Sequence, residues 1–178
     1  NETGLHVIRM SKYAEIISRE YGFPQKEQEL ILQATPMHDI GKIGIPDNIL
    51  KKPGRLTEEE RKIINRHCYY GVKIIGDHNS ELIKTAKIVA YEHHEKWDGT
   101  GYPRKLKGEE ISIYGRITAI ADVFDALTSV RPYKDAWDID SSINYIKDQS
   151  GKHFDPECVN SFFNGLHEIL KVREKYKD

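Results

Sequence analysis

The sequence predicts an all-α fold of about six to seven helices, and three observations carry that prediction. Apolar residues recur at helical spacing over most of the chain, for example at Val7, Met10 and Ile17. Recognisable helix starts precede several of these stretches, and the capping box that begins at Thr57 is the clearest. No stretch alternates apolar and polar residues as a half-buried strand does. The 178 residues are therefore expected to form one helical domain with a substantial core.

The limits of each helix follow from the residues that begin or end it. Gly22 ends the first helix, because glycine readily adopts the backbone angles of a helix terminus. Pro36 marks a new start, and Asp155 caps the last helix, with Pro156 at its first position. The predicted helices cover residues 4–21, 27–35, 57–75, 82–92, 112–129 and 140–149, and a last helix begins after Asp155.

Composition restricts the class of partner. The formal net charge is −1, so the chain lacks the basic field of a protein that binds duplex DNA or RNA, and a small partner is expected. Cys68 and Cys158 form no CxxC pattern, which favours a reducing compartment. No apolar run is long enough to span a membrane. A cytoplasmic location is therefore predicted.

The stretch His38-Asp39-Ile40-Gly41-Lys42 is the first candidate for chemistry. A neutral imidazole beside a carboxylate offers two metal ligands of different charge and hardness. Lys42 follows Asp39 by about one helical turn, so the three polar side chains could hold a cation and a phosphate together.

Three further places on the predicted helices offer imidazoles. His6 lies on the first helix one turn after Glu2, and the two could share a cation, although a solvated histidine near a helix start is the alternative. His67 falls on the apolar side of the third helix, where a hydrogen-bonded core histidine is the alternative. His93 and His94 diverge on a regular helix, but at a fraying helix end both can face one site.

The fifth helix carries two carboxylates, Asp122 and Asp125, in its most apolar half. Buried carboxylates are costly unless they are paired, hydrogen-bonded or bound to a metal, which favours a functional role. The loop over residues 96–103 has two glycines and aromatic rings that could stack on a base, and its alternative is a packed surface turn. Arg131 and Lys134 form a cationic corner suited to phosphate oxygens. The histidines assigned to loops and surface are His78, His153 and His167.

Taken together, the candidates suit a multinuclear metal centre. Five imidazoles and three carboxylates are too many for one tetrahedral zinc, and they fit two octahedral ions, or three. Nitrogen and oxygen ligands without thiolate favour iron or manganese. Two neighbouring cations can activate a water and clamp a phosphorus and its leaving oxygen, which predicts a phosphodiesterase. The candidate ligands are Glu2, His6, His38, Asp39, His67, His93, His94 and Asp122.

The motifs resemble a known family. His38-Asp39 with Asp122 is similar to the HD superfamily of metal-dependent phosphohydrolases. More narrowly, the chain resembles the HD-GYP subfamily over nearly its whole length, including the Phe154-Asp155-Pro156 start of the last helix. The matching segments are Glu2-Thr3-Gly4-Leu5-His6, His38-Asp39-Ile40-Gly41-Lys42, His93-His94-Glu95, Asp98-Gly99-Thr100-Gly101-Tyr102-Pro103, Asp122-Val123-Phe124-Asp125-Ala126-Leu127 and Arg131-Pro132-Tyr133-Lys134.

The resemblance implies an HD-domain-like helical bundle over residues 1–178 and a bacterial signalling enzyme that linearises cyclic di-GMP to pGpG and often continues to GMP. It implies the same set of metal ligands, with Asp39 as a bridge and Glu2 serving a third ion. Lys42, Asp39 and His38 are the implied catalytic residues, and Lys42 is expected to contact the scissile phosphate or assist the leaving oxygen. Asp125 is expected to orient a ligand. The implied substrate-binding residues are Gly101, Tyr102, Arg131 and Lys134.

Two residues depart from the pattern of the family. Cys68 stands where proline commonly follows the third histidine, and Lys105 replaces a glycine usual after the Gly-Tyr-Pro loop. Neither is a proposed ligand, so activity is still expected.

Other activities and partners stay open at this stage. One alternative is hydrolysis of cyclic GMP-AMP or a guanosine polyphosphate, and another is a non-hydrolysing cyclic-dinucleotide sensor. In the sensor, the Gly-Tyr-Pro loop docks a diguanylate cyclase (GGDEF) domain. Because the first residue is Asn1 and the segment Glu2-Thr3-Gly4-Leu5-His6 resembles a helix already in progress, we expect the C-terminal output domain of a longer signalling protein with an upstream regulatory domain. A homodimer is also compatible with the sequence.

Overall fold

The computed structural model describes residues 4–130 and 135–177 and confirms the all-α prediction, with no β-strand among those residues. Two short 3-10 turns, Thr35–Met37 and Ile40–Gly44, flank the His38-Asp39 pair, and a third covers Gly108–Glu110. The α-helices are α1 (Gly4–Tyr21), α2 (Gln25–Ala34), α3 (Asp47–Leu50), α4 (Glu58–Ile64), α5 (His67–Ile75), α6 (Glu81–Glu92), α7 (Ile113–Thr128), α8 (Ile139–Asp148), α9 (Pro156–Asn164) and α10 (Leu166–Lys175).

Two predicted helix starts are confirmed in detail. At α4, the Thr57 hydroxyl accepts from the Glu60 amide at 3.2 Å, and the Glu60 carboxylate accepts from the Thr57 amide at 2.8 Å. This is the reciprocal capping box that satisfies two amides of the first turn. At α9, the Asp155 carboxylate accepts from the Glu157 amide at 2.9 Å, and Pro156 begins the helix.

Two predicted helices are each divided, so there are more and shorter helices than the periodicity indicated. The helix expected over residues 57–75 turns at Asn65 and Arg66, where ψ is −17° and −12°, and restarts as α5. The last helix is divided at Gly165, where a Cβ atom would lie 2.5 Å from Ile16 Cγ2 of α1. Neither break contains a proline. The break at Gly165 lies where the backbone packs closely on α1.

The core is built around α1, which packs against α2, α7, α9 and α10. Burying each large apolar side chain stabilises the fold by about 1.5–3 kcal/mol, as an upper estimate. A smaller cluster of Ala34, Ala86 and Val89 joins α2 to α6. No helix in the described ranges is long and apolar enough to cross a membrane. The largest fully buried core side chains include Met10, Tyr13, Ile17, Ile120, Phe124, Phe154 and Phe162.

The turn that follows His38-Asp39 lies directly against α5. A Cβ atom on Gly41 would lie 1.9 Å from the His67 carbonyl oxygen and 2.4 Å from the Gly71 amide nitrogen. Only glycine allows this approach, because real Cβ atoms do not come so close to backbone atoms. The contact brings Asp39 up to the first residue of α5, which is His67.

Candidate metal centre

Seven of the eight predicted metal ligands lie together in the interior, in two groups. One group contains Asp39, His67, His93 and His94, and the other contains His6, His38 and Asp122. Within each group, the candidate ligand atoms lie within 4.8 Å of one another. The eighth predicted ligand, Glu2, lies outside the described residues.

The ends of two helices place three of the histidines. His67 is the first residue of α5, directly after the turn at residues 65–66. His93 is the C-cap of α6 and His94 follows it, so the backbone no longer forces the two side chains apart. Their ring centroids are 4.0 Å apart. The expectation that a helix end lets both face one site is therefore met by the geometry.

Asp39 lies between the two groups. Its Oδ2 atom is 2.9 Å from His38 Nε2, and its Oδ1 atom is 3.1 Å from His67 Nε2 and 3.7 Å from His93 Nε2. One carboxylate therefore presents one oxygen to each group, which is the arrangement that a bridging ligand requires. Lys42 Nζ also lies 2.5 Å from Asp39 Oδ2.

The tautomers of three histidines follow from their hydrogen bonds. A carbonyl oxygen can only accept, so in each case Nδ1 carries the proton and a neutral ring has its lone pair on Nε2. Those lone pairs point towards the centre, as in metal sites where a carbonyl fixes the ligand tautomer. His38 Nδ1 donates to Thr35 O at 3.0 Å, His67 Nδ1 to Ile64 O at 2.8 Å, and His93 Nδ1 to Val89 O at 2.9 Å.

This arrangement crowds electron pairs in a way that fits a cation. His67 Nε2 lies 3.4 Å from His93 Nε2 and 3.1 Å from Asp39 Oδ1, and when both rings are neutral neither nitrogen carries a proton to join them. Facing lone pairs repel unless a positive charge lies between them. Neutral imidazoles mixed with carboxylates also suit a divalent transition metal. The residues present therefore fit a metal ion on their own chemistry.

The electrostatics of the site hold the ligands in their binding forms. Burial lowers the pKa of His93, and it lowers the pKa of His94 well below its usual value, with the neighbouring histidines adding to the effect. Burial alone would raise the pKa of Asp39, but the charge and hydrogen bond of His38 when that ring is protonated, with hydrogen bonds from His67 and His93, hold it well below its usual range. Neutral imidazoles and an ionised carboxylate are the forms that bind metals.

Asp125 contacts His6, so the residue expected to orient a ligand lies against one of the candidate ligands. Its Oδ2 atom lies 2.7 Å from His6 Nδ1, so the carboxylate fixes which ring nitrogen of His6 carries the proton. Both residues are buried. The guanidinium of Arg9, one turn after His6 on α1, holds Asp125 in turn, with Nε 2.6 Å from Oδ1. No pattern in the sequence singles out Arg9, because an arginine on a helix is usually exposed.

A cavity of about 170 Å3 opens beside both groups, and its lining includes Asp39, Lys42, His94 and Asp122. It is smaller than a typical ligand pocket, so a nucleotide would extend beyond it. The Tyr102 ring packs next to His94, with centroids 4.8 Å apart. Arg131 and Lys134, predicted to bind substrate, lie outside the described residues.

Gly101 is buried, and a Cβ atom there would lie 2.4 Å from the Lys96 amide nitrogen. The structure thus gives Gly101 a packing reason, and its predicted substrate contact stays a prediction. Two glutamates outside the predicted site hold the segment between α6 and α7. Glu95 accepts from the amides of Arg104 at 2.7 Å and Leu106 at 3.0 Å, and Glu92 accepts from the Ser112 amide at 2.7 Å. No local pattern marks either glutamate as buried, because a glutamate at a helix end is usually exposed.

The histidines assigned to loops and surface belong to neither group. His78 and His167 are exposed. His153 is half-buried and stacks on Phe154 with centroids 4.2 Å apart, and burial lowers its pKa to about 4. Of the two departures from the family pattern, Cys68 is buried with Sγ 3.5 Å from His67 Nε2, and Lys105 has a positive φ of 57°.

The fold and the site together define a class. It is an all-α bundle whose interior gathers imidazoles and carboxylates around one shared aspartate, and this His/Asp cluster is able to bind metal. A family model described as "HD domain" matches residues 3–158. The chain therefore belongs to the HD domain family, whose phosphohydrolases are metal-dependent, and the prediction from the motifs is confirmed.

Relatives and solved structures agree with this assignment. A "3'3'-cGAMP-specific phosphodiesterase 2" of Vibrio cholerae serotype O1 is 45% identical over 99% of this chain and 34% of its own length. A "Cyclic di-GMP phosphodiesterase" of Thermotoga maritima is 44% identical over 99% of this chain and 48% of its own length. The chain thus spans a third to a half of these relatives. A solved HD-GYP protein from Bdellovibrio bacteriovorus has the same fold, with a TM-score of 0.67 at 20% identity, over 93% of this chain and 51% of that one.

Proposed function

We propose that the chain is a metal-dependent phosphodiesterase that hydrolyses cyclic di-GMP to pGpG and onward to GMP. The position of Asp39, with one oxygen towards each group of donors, is the observation that supports this most strongly. Hydrolysis of a phosphodiester needs charge neutralisation on the phosphate and an activated water, and a pair of neighbouring divalent ions supplies both. The names of the relatives support a cyclic dinucleotide as the substrate.

We assign the roles of the residues accordingly. Asp39 would hold both ions, the histidines and Asp122 would complete the two groups, and Glu2 would serve a third ion if one binds. Lys42, at the cavity beside Asp39, would meet the scissile phosphate or the leaving oxygen. Tyr102 would line the place where a base lies, and Gly101, Arg131 and Lys134 would hold the rest of the substrate. Iron or manganese is the proposed metal, because neither group contains a thiolate.

Hydrolysis of 3'3'-cyclic GMP-AMP is the second candidate. A relative that is 45% identical to this chain is named as specific for that substrate, and another at 44% is named for cyclic di-GMP. The two substrates differ in one base and share the same phosphodiester ring, so the metal centre serves either. The choice depends on the residues that contact the bases.

The test begins with anaerobic purification and metal analysis. The protein is then incubated with cyclic di-GMP, 3'3'-cyclic GMP-AMP or a guanosine polyphosphate, and the products are separated by chromatography. We expect at least two metal ions per chain, and pGpG or GMP from cyclic di-GMP. The Asp39→Asn variant should lose metal and turnover together, because one carboxylate oxygen faces each group. Asp47→Asn is the matched control, since Asp47 is exposed and bonds Lys51.

Each result discriminates between the candidates. Faster turnover of 3'3'-cyclic GMP-AMP would select the second candidate, and turnover of the polyphosphate alone would reject both. Metal-loaded protein that binds cyclic di-GMP without cleaving it would indicate a sensor, and binding of a GGDEF domain would be measured next. Normal metal content in Asp39→Asn would contradict the bridging role.

A further inference from the structure

We infer that Arg9 is a positioning residue for the metal ligand His6, acting through Asp125. The inference rests on the proposed metal centre, not on the identity of the substrate. Arg9 is 2% exposed and Asp125 is 1% exposed, so the pair lies inside the bundle. A buried arginine is uncommon unless it has a defined set of partners.

The guanidinium meets the carboxylate with its fork. Arg9 Nε donates to Asp125 Oδ1 at 2.6 Å, and Nη2 donates to Asp125 Oδ2 at 3.0 Å. This bidentate geometry fixes the plane of the carboxylate as well as its charge. Asp125 Oδ2 also accepts from Ser129 Oγ at 3.2 Å, and Arg9 Nη2 donates to that same hydroxyl at 2.9 Å.

The fixed carboxylate then sets the ring of His6. Asp125 Oδ2 is 2.7 Å from His6 Nδ1, so that nitrogen carries the proton and Nε2 is left to face His38 and Asp122. Removing the bidentate partner would let the carboxylate turn on its χ2 axis. The ring of His6 would lose its defined orientation, and the group of His6, His38 and Asp122 would bind its ion more weakly.

Arg9 is itself held by the end of the chain. Its Nη1 atom donates to the Tyr176 carbonyl oxygen at 2.7 Å, directly after α10. Arg173 of α10 also donates to the Thr128 carbonyl oxygen at the end of α7, at 3.1 Å. The last helix therefore contacts both α1 and α7, which carry His6, Asp122 and Asp125. These contacts set the orientation of Arg9 from outside the two donor groups.

The sequence offers a closely matched control. Arg19 lies on the same helix, and its Nη2 atom donates to Glu168 of α10 at 2.7 Å. The Arg19→Gln and Arg9→Gln variants therefore each remove one arginine that links α1 to the C-terminal region. Only Arg9 reaches a carboxylate that contacts a ligand.

In the experiment, the metal-free chain is titrated with Mn2+ alone and binding is measured by calorimetry. The metal that stays bound is then analysed after gel filtration. We expect Arg9→Gln to weaken the affinity for one ion by about 10- to 100-fold and to leave the affinity for the other unchanged. Arg19→Gln should match the unmutated chain. Arg9→Lys should show the same selective loss, because an ammonium cannot form the two parallel hydrogen bonds of the guanidinium. The loss should be smaller, because lysine keeps the buried positive charge.

The readout separates positioning from general structural support and from activity. Equal weakening of all ions, or no change at all, in Arg9→Gln would overturn the inference. If Arg9→Gln does not fold, Arg9→Lys decides by the same criterion, because it keeps the buried positive charge. Since no substrate is used, failure of the proposed activity leaves this result intact.

Discussion

Lys42 is tied to the centre by its distance of 2.5 Å from Asp39 Oδ2, yet it belongs to neither donor group. Under the proposed function its charge would meet a phosphate in the cavity that it lines, and the two donor groups would hold their ions without it. We expect Lys42→Ala to keep its metal and to lose about 10²- to 10⁴-fold in kcat, the range for one proton-transfer group. Lys51→Ala is the control, because the Lys51 side chain is exposed and bonds to the exposed Asp47. A fall in metal content in Lys42→Ala would instead make Lys42 a structural residue.

Lys105 adopts a positive φ of 57°, which glycine reaches without a steric penalty. The substitution Lys105→Gly should therefore relieve about 1 kcal/mol of backbone strain, less the added freedom of glycine in the unfolded chain. For a chain of this size, the melting temperature should rise by up to about 4 °C. Lys107→Gly is the control, because Lys107 has an ordinary φ of −125°. A lower melting temperature for Lys105→Gly would contradict the strain assignment.

The clustering of donor side chains was predictable where residue type and motif agreed, as for His38, Asp39 and Asp122. The supporting residues were not. Arg9 and Glu95 are long charged residues that sequence reasoning places in solvent, and only their distant partners explain their burial. Arg9 meets Asp125 across 116 residues of sequence, which no local pattern reveals.

At the scale of single elements, the Ile40–Gly44 turn depends on Gly41. Any Cβ atom at this position would meet the His67 carbonyl oxygen at 1.9 Å, and backbone cannot give way cheaply. We expect Gly41→Ala to push the turn off α5, to separate Asp39 from His67 and to lower both metal content and stability, by about 1–3 kcal/mol for overpacking. Gly4→Ala is the control, since no atom of the described residues lies within 4 Å of its added Cβ. Equal metal content in the two variants would show that the turn can shift harmlessly.

Helix starts were predictable and helix breaks were not, for a physical reason. A capping box is local, so Thr57 and Glu60 announce it within four residues of sequence. The turn at Asn65 and Arg66 contains neither glycine nor proline, and the apolar periodicity runs through it. This turn places His67 at the first position of α5.

For the whole molecule, buried protons set the alkaline limit of stability. Burial raises the pKa of Cys158, and likewise of Cys68 and Tyr13. In the unfolded chain a cysteine loses its proton at about pH 8.5, whereas the folded thiol keeps it. The unfolded state therefore binds fewer protons above that pH. These groups add no pH dependence below about pH 8.5, and above it the free energy of unfolding should fall, by up to about 1.4 kcal/mol per pH unit for each thiol.

Denaturant unfolding of the metal-free chain at a series of pH values measures this slope. In Cys158→Ala, the slope above about pH 8.5 should be shallower than in the unmutated chain, whatever the change in stability at neutral pH. His167→Ala is the control, because His167 is exposed and should leave the slope unaltered. A free energy that stays level up to about pH 10 would contradict the argument.

The assembly of the donors from α1, the turns around His38, α5, α6 and α7 has a consequence for the lifetime of the protein in a cell. Within residues 4–130 and 135–177, no short segment holds enough donors to capture an ion before the bundle closes, so a metal would bind the folded state and stabilise it against unfolding by mass action. Under the proposed function, scarcity of the metal would then act twice, by lowering activity and by exposing the protein to proteolysis. Under the proposed function, abundance of the protein would report the metal supply of the cell.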